Sequence, residues 1–196
     1  MMRSHLIATM LVICVGANAD AAVWKKLDGW KLDGAAQPED GDSFKIKKAG
    51  GKRTLRLYGV DCPEIGGHFP QRNADQAKDF GVKLADIPKW GMKARDFTRE
   101  FLGNGFTIDE CGEPAPPDRD YGIVRDLQGN RLDEALLKAG LARVDRTQKK
   151  NMAPWIDGEV KVAPAAEEKA RRRFANKLQQ IESKARRDKK GIWGGK

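Results

Sequence analysis

The chain has 196 residues, with 37 Lys and Arg against 28 Asp and Glu and a formal net charge of +9 at pH 7. That length suits one domain with appendages, and the basic balance favours a polyanionic partner or surface while deciding nothing about fold. Beyond the N-terminus no apolar run is long enough to span a bilayer, so stable membrane insertion is excluded as the expectation.

In chain order, Met1-Met2-Arg3-Ser4-His5 precedes an apolar run from Leu6 to Gly16 and then Ala17-Asn18-Ala19. A positive start, a short apolar stretch and a small-x-small site predict an export signal over 1–19, cleaved after Ala19 into the periplasm or medium. Cys14 leaves with it. Cys62 and Cys111 remain, a pair that could bond in an oxidising compartment, although spacing alone does not bring their Cα atoms within range. Lys-Leu-Asp-Gly occurs at 26–29 and again at 31–34. Five residues is too short a period for a structural repeat, so this reads as turn usage.

Phe44 and Ile46 alternate with Lys45 and Lys47, and Leu55 and Leu57 alternate with Arg56 and Tyr58; Ala49-Gly50-Gly51 joins them into a predicted β-hairpin. A short helix is predicted around 74–80, and a longer one through Ala94, Phe97 and Phe101 with Gly103 as its stop. Phe106 and Ile108 begin another strand, which the proline-rich segment 112–117 is expected to end as a loop. Tyr121 to Arg125 reads as a strand, and Leu132, Leu136 and Ala139 mark a short helix closed by Gly140. Residues 148–164 read as a loop. A long helix from about Ala165 to Lys190 carries Ala170, Phe174, Leu178, Ile181 and Ala185 on one stripe among ten Lys or Arg. Short strands with turns and about three helices predict an α+β fold, a small β-barrel carrying helices rather than a parallel sheet.

The chemistry concentrates in 40–64. Asp42 opens one hairpin strand, and Asp61 and Glu64 follow the end of its neighbour, so the three acids share one end of the sheet. Carboxylates where a polyanion docks would repel phosphate unless a cation sits among them. Hard oxygen donors select hard cations such as Ca²⁺ or Mg²⁺. Asp40 reads instead as a turn cap, accepting hydrogen bonds from backbone amides.

Asp40-Gly41-Asp42-Ser43 followed by Leu55-Arg56-Leu57-Tyr58-Gly59-Val60-Asp61-Cys62-Pro63-Glu64 resembles the thermonuclease family, the staphylococcal nuclease-like OB-fold enzymes. The segment 132–144 and the terminal run through Gly191-Ile192-Trp193 continue the resemblance over about 37–196, leaving 20–36 as an N-terminal extension. It implies a five-stranded OB-fold barrel with a long basic C-terminal helix, acting as a monomer on DNA and RNA with Ca²⁺. Asp42 and Asp61 would bind the ion with the backbone carbonyl of Cys62. Glu64 would act as general base and Arg56 would grip the scissile phosphate. A second arginine is expected after the proline loop; Arg119 fits better than Arg125, which shares its face but stands ~20 Å farther along the strand. The tyrosines that often follow the family's later strand are replaced here by Asp145-Arg146-Thr147-Gln148, so no base preference is implied. Two other classes fit the composition: a non-catalytic OB-fold module that binds nucleic acid, and a basic protein held at an anionic membrane surface. The joint presence of Asp42, Arg56, Asp61 and Glu64 argues for the enzyme.

Overall fold

The structure, a computed structural model, describes residues 25–34, 40–115, 119–145 and 165–195. The expected signal 1–19 and the loop 148–164 fall outside these residues.

The hairpin forms where alternation predicts it. Strand β3 (Ser43–Lys48) pairs antiparallel with β4 (Gly51–Leu57), and Gly50 turns between them at φ +85°. Phe44, Ile46, Leu55 and Leu57 are fully buried on the inner face while Lys45 and Lys47 stand outside. Each such aliphatic burial contributes about 1.5–3 kcal/mol. This hairpin supplies two adjacent strands of the main sheet.

Around it, β1 (Lys25–Leu27), β2 (Lys31–Leu32), β6 (Phe106–Ala115) and β7 (Arg119–Asp126) complete a six-stranded sheet in the order β1-β6-β7-β4-β3-β2. The β4–β7 pair is parallel and the other pairs are antiparallel. A separate two-stranded pair joins β5 (Val60–Asp61) to β8 (Arg143–Val144). The curled sheet with flanking helices is an α+β, OB-type half-barrel.

One expectation is extended and two change. Residues 25–32, read from sequence as an extension, add a short strand at each edge of the curled sheet. These strands are only two and three residues long, too short for alternation to reveal them. The segment 112–117 is not all loop: Pro114 and Ala115 pair with Asp120 and Arg119 beyond a register break after Glu110. Proline is tolerated next to a strand irregularity, where the ladder has already lost a bond. Finally, the described residues hold four α-helices: α1 (Pro70–Phe80), α2 (Ile87–Gly103), α3 (Leu132–Ala139) and α4 (Ala165–Arg187).

Helix α2 buries Ile87, Gly91, Ala94, Thr98 and Leu102, one face at helical spacing. Helix α1 is defined more by its ends, Pro70 in the first turn and Gly81 in the left-handed region at φ +72°, than by its face, where only Ala77 and Phe80 are buried and apolar. Leu178, Glu182 and Ala185 of α4 are buried, and Glu182 Oε2 accepts the backbone N–H of Val144 at 3.0 Å. Trp193 packs on Phe80 with ring centroids 4.6 Å apart. No helix among the described residues is long and apolar enough to cross a membrane.

Candidate active site

Asp40 does what its position suggested: its Oδ1 accepts the backbone N–H groups of Asp42 at 3.1 Å and Ser43 at 2.7 Å. The turn it caps is pressed against α2. A Cβ on Gly41 would lie 2.7 Å from Ala94 Cβ and 2.8 Å from Cys62 Sγ, so only glycine fits. Thr98 Oγ1 donates to the Gly41 carbonyl at 2.6 Å. One helical turn earlier, a Cβ on Gly91 would stand 2.5 Å from the carbonyl oxygen of Pro63.

Thus held, Asp42 accepts Arg56 and the Ser43 hydroxyl on Oδ1 and the backbone N–H of Cys62 on Oδ2. Arg56 leaves the outer face of β4 opposite Ser43 and is 4% exposed. Its second amino nitrogen reaches Asp61 Oδ1 at 3.3 Å and Asp145 Oδ2 at 3.5 Å. Asp61 also accepts Arg143 Nε at 2.9 Å and Gln76 Nε2 at 3.0 Å on Oδ2, and pairs with Arg72 through Oδ1. Glu64, half-buried at the rim, pairs with Arg72 Nε at 2.8 Å. Arg119 donates to Ser43 Oγ at 3.0 Å, whereas Arg125 pairs with Asp109 at 3.1 Å on the neighbouring strand. The structure therefore brings Asp42, Arg56, Asp61 and Cys62 into one network, joins Glu64 to it through Arg72 and Arg119 through Ser43, and leaves Arg125 outside.

Electrostatics separates the two aspartates. Burial pushes the Asp42 carboxyl well above its usual range, Asp40 and Asp61 adding to the effect, and Arg56 does not offset it. Asp61 is as deeply buried, yet Arg72, Arg56 and Arg143 hold it down to about 2. Burial also raises Glu64, against the pull of Arg72. Five acids (Asp40, Asp42, Asp61, Glu64 and Asp145) thus meet four arginines (Arg56, Arg72, Arg119 and Arg143), and the balance is short of positive charge at Asp42, whose pull from Arg56 does not offset burial.

That shortage, together with hard oxygen donors from Asp42, Asp61 and the Cys62 carbonyl, fits a hard divalent cation. Among the described residues no group of three or more His, Cys, Asp or Glu side chains is placed to hold a metal ion by itself. Water and phosphate oxygens would have to complete such a shell. Cys62 is a buried free thiol whose pKa burial raises; the side chain of Cys111, its suggested partner, lies outside the described residues.

Several members of the network escaped sequence reasoning. Gln76 is fully buried, and its amide ties the 61–64 loop at three points: Asp61, the Cys62 carbonyl at 2.8 Å and the Glu64 N–H at 3.0 Å. Arg143 hides inside the apolar run Leu141-Ala142-Arg143-Val144, where a charge flanked by buried residues is the available signal. Asp145 directly follows β8. Arg72 lies in the first turns of α1, ahead of the predicted helix around 74–80. Beside Arg72 and Arg143 opens a groove of about 870 Å³, with exposed Phe69 and His68 on its wall.

Comparison with known proteins adds two findings. The family described as staphylococcal nuclease homologue matches residues 54–173, more than half of the chain, a span that includes Arg56, Asp61, Glu64 and Arg119 but begins after Asp42. An uncharacterized protein of Methanocaldococcus jannaschii is 27% identical over 172 residues, covering 73% of this chain and 82% of the relative.

Proposed function

The chain belongs to the staphylococcal nuclease homologues, and on that premise we propose that it is an exported, calcium-dependent nuclease cleaving phosphodiester bonds of DNA and RNA to leave 3′-phosphate ends. The observation that carries this reading is the convergence of Asp42 and Asp61 on Arg56, with Glu64 at the rim and Arg119 one hydroxyl away. Carboxylates alone would repel the substrate. Combined with guanidinium groups they suit phosphoryl chemistry, in which negative charge must be both approached and stabilised.

Asp42, Asp61 and the Cys62 carbonyl would hold the calcium, which would supply positive charge to stabilise the reacting phosphate. Arg56 is already oriented by three carboxylates, so its fork requires little ordering to meet a phosphate. Arg119 approaches the same region from β7. Glu64, with its proton affinity raised by burial, accepts the proton of the attacking water. As the new phosphorus–oxygen bond forms, the bond to the 5′ oxygen breaks and that oxygen takes a proton from solvent. Phosphate remains on the 3′ carbon.

The test is digestion of plasmid DNA and of RNA by the purified chain, with chelator and then with excess calcium. Activity that stops with chelator, returns with calcium and yields 3′-phosphate ends supports the proposal. Digestion that persists in chelator removes calcium from it, and no digestion under any condition leaves a nucleic-acid-binding module. Export is tested separately: the N-terminus of the extracytoplasmic chain should be Asp20.

A further inference from the structure

Asp61 is the acid of the site on which most donors meet. Its Oδ2 accepts Arg143 Nε at 2.9 Å and Gln76 Nε2 at 3.0 Å, and its Oδ1 accepts Arg56 at 3.3 Å and Arg72. An ionised carboxylate offers about four acceptor positions, so these donors fill it. A cation that takes Asp61 as a ligand must displace one of them, and the four differ in how easily they can leave.

Three are held elsewhere as well. Gln76 is fully buried and also binds the Cys62 carbonyl and the Glu64 N–H. The Arg56 side chain is 5% exposed and also pairs with Asp42 and Asp145. The Arg143 side chain is 6% exposed, pairs with Asp79 at 3.2 Å and stands 5.7 Å from the centre of the Phe80 ring. Releasing either arginine from Asp61 would cost the desolvation of a buried charge without its partner. Arg72 differs. Its side chain is 33% exposed and lines the groove of about 870 Å³ beside the site. Its other ion-pair partner is Glu64, met by Nε at 2.8 Å while the far edge of the same guanidinium meets Asp61. A planar fork can let go at one edge and hold at the other, and here the freed edge would turn into an open, watered groove.

We propose that Arg72 is a positioning residue that yields Asp61 to the divalent cation and keeps Glu64. The proposal rests on the nuclease reading and deepens it, since the cation's arrival would hand this guanidinium wholly to the carboxylate that receives the water's proton. Metal ligand and base are then assembled in one exchange. Arg72 opposes cation binding and supports turnover, two effects of opposite sign. A residue that merely braced the 61–64 loop would favour both.

Isothermal titration of calcium alone into the full chain measures the first effect. Arg72→Ala should bind calcium about tenfold more tightly than wild type, because one charge-assisted hydrogen bond no longer has to be broken. With calcium saturating, its kcat on DNA should be about 10–100-fold lower and its KM little changed, the range for residues that orient a reacting group. A crystal of wild type grown with calcium, which does not depend on the variant folding, should show Arg72 on Glu64 and off Asp61. Equal or weaker calcium binding by Arg72→Ala, or Arg72 still on Asp61 in that crystal, overturns the exchange. An unchanged kcat overturns the hold on Glu64. If Arg72→Ala binds calcium more tightly but wild type cuts neither DNA nor RNA, the nuclease reading fails and the exchange at Asp61 stands.

Discussion

The two ends of one hairpin use charge in opposite ways. At the Ser43–Arg56 end, acids and arginines are buried, each geometry is fixed by several partners, and the balance lacks positive charge at Asp42. At the Lys47–Lys52 end, four positions along the same strand, the lysines are exposed and converge on the Asp33 carboxylate. Burial separates the two. A charge removed from water must be held by neighbours and is therefore precise, whereas an exposed charge is screened and acts through number. Chemistry suits the first end.

The largest expected effect lies at the buried end. Glu64→Gln should lower kcat by about 10²–10⁴-fold on a DNA substrate with little shift in Tm, since Glu64 stands at the rim. Arg56→Ala should lose activity and also about 3–5 kcal/mol of stability in urea unfolding, because Asp42, Asp61 and Asp145 lose a shared partner. Equal stability of the two variants would show that burial does not distinguish these charges.

Next comes Gln76→Ala. Freed of its three tethers, the 61–64 loop should need about 10–100-fold more calcium for half-maximal activity, a range seen for residues that orient metal ligands. Gln76→Glu keeps the acceptor for Glu64 N–H but loses the donors, so calcium activation should weaken there too. An unchanged calcium requirement in both would assign Gln76 to packing alone.

At the exposed end the effect should be smallest and should depend on pH. The lysines around Asp33 hold its carboxyl down to about 2, so the stability it contributes is complete above about pH 4 and is lost as pH falls towards 2. Asp33→Asn should therefore be less stable than wild type at neutral pH and converge with it in acid, as thermal unfolding across that range would show. A gap that stays constant with pH would mean that the carboxylate's charge contributes nothing.

What could be read from the residues follows the same divide. The hairpin was legible because Phe44, Ile46, Leu55 and Leu57 keep strict alternation, and the acids stood out because Asp42, Asp61 and Glu64 flank those strands. Helix α1 was half-visible. Its inner face carries Asn73 and Gln76 as well as Ala77 and Phe80, so apolar periodicity begins too late to mark its start. Gln76 and Arg72 act on a loop twelve and eight residues before them, a relation that strand or helix spacing does not encode. The edge strands in 25–32 exist through partners distant in the chain, Glu110 and Lys47 among them. Pro114 misled because its pairing follows a register break that only the folded sheet reveals.

Gly91 and Ala94 sit three residues apart on α2, one beneath Pro63 and the other beneath Gly41. Their separation along the axis is about 4.5 Å, set by helical rise alone. The carriers of Asp42 and Glu64 thus take their mutual offset from the pitch of a single rod. Lengthening either loop leaves that offset intact, while a kink or bulge between 91 and 94 would spoil it without touching any charged group.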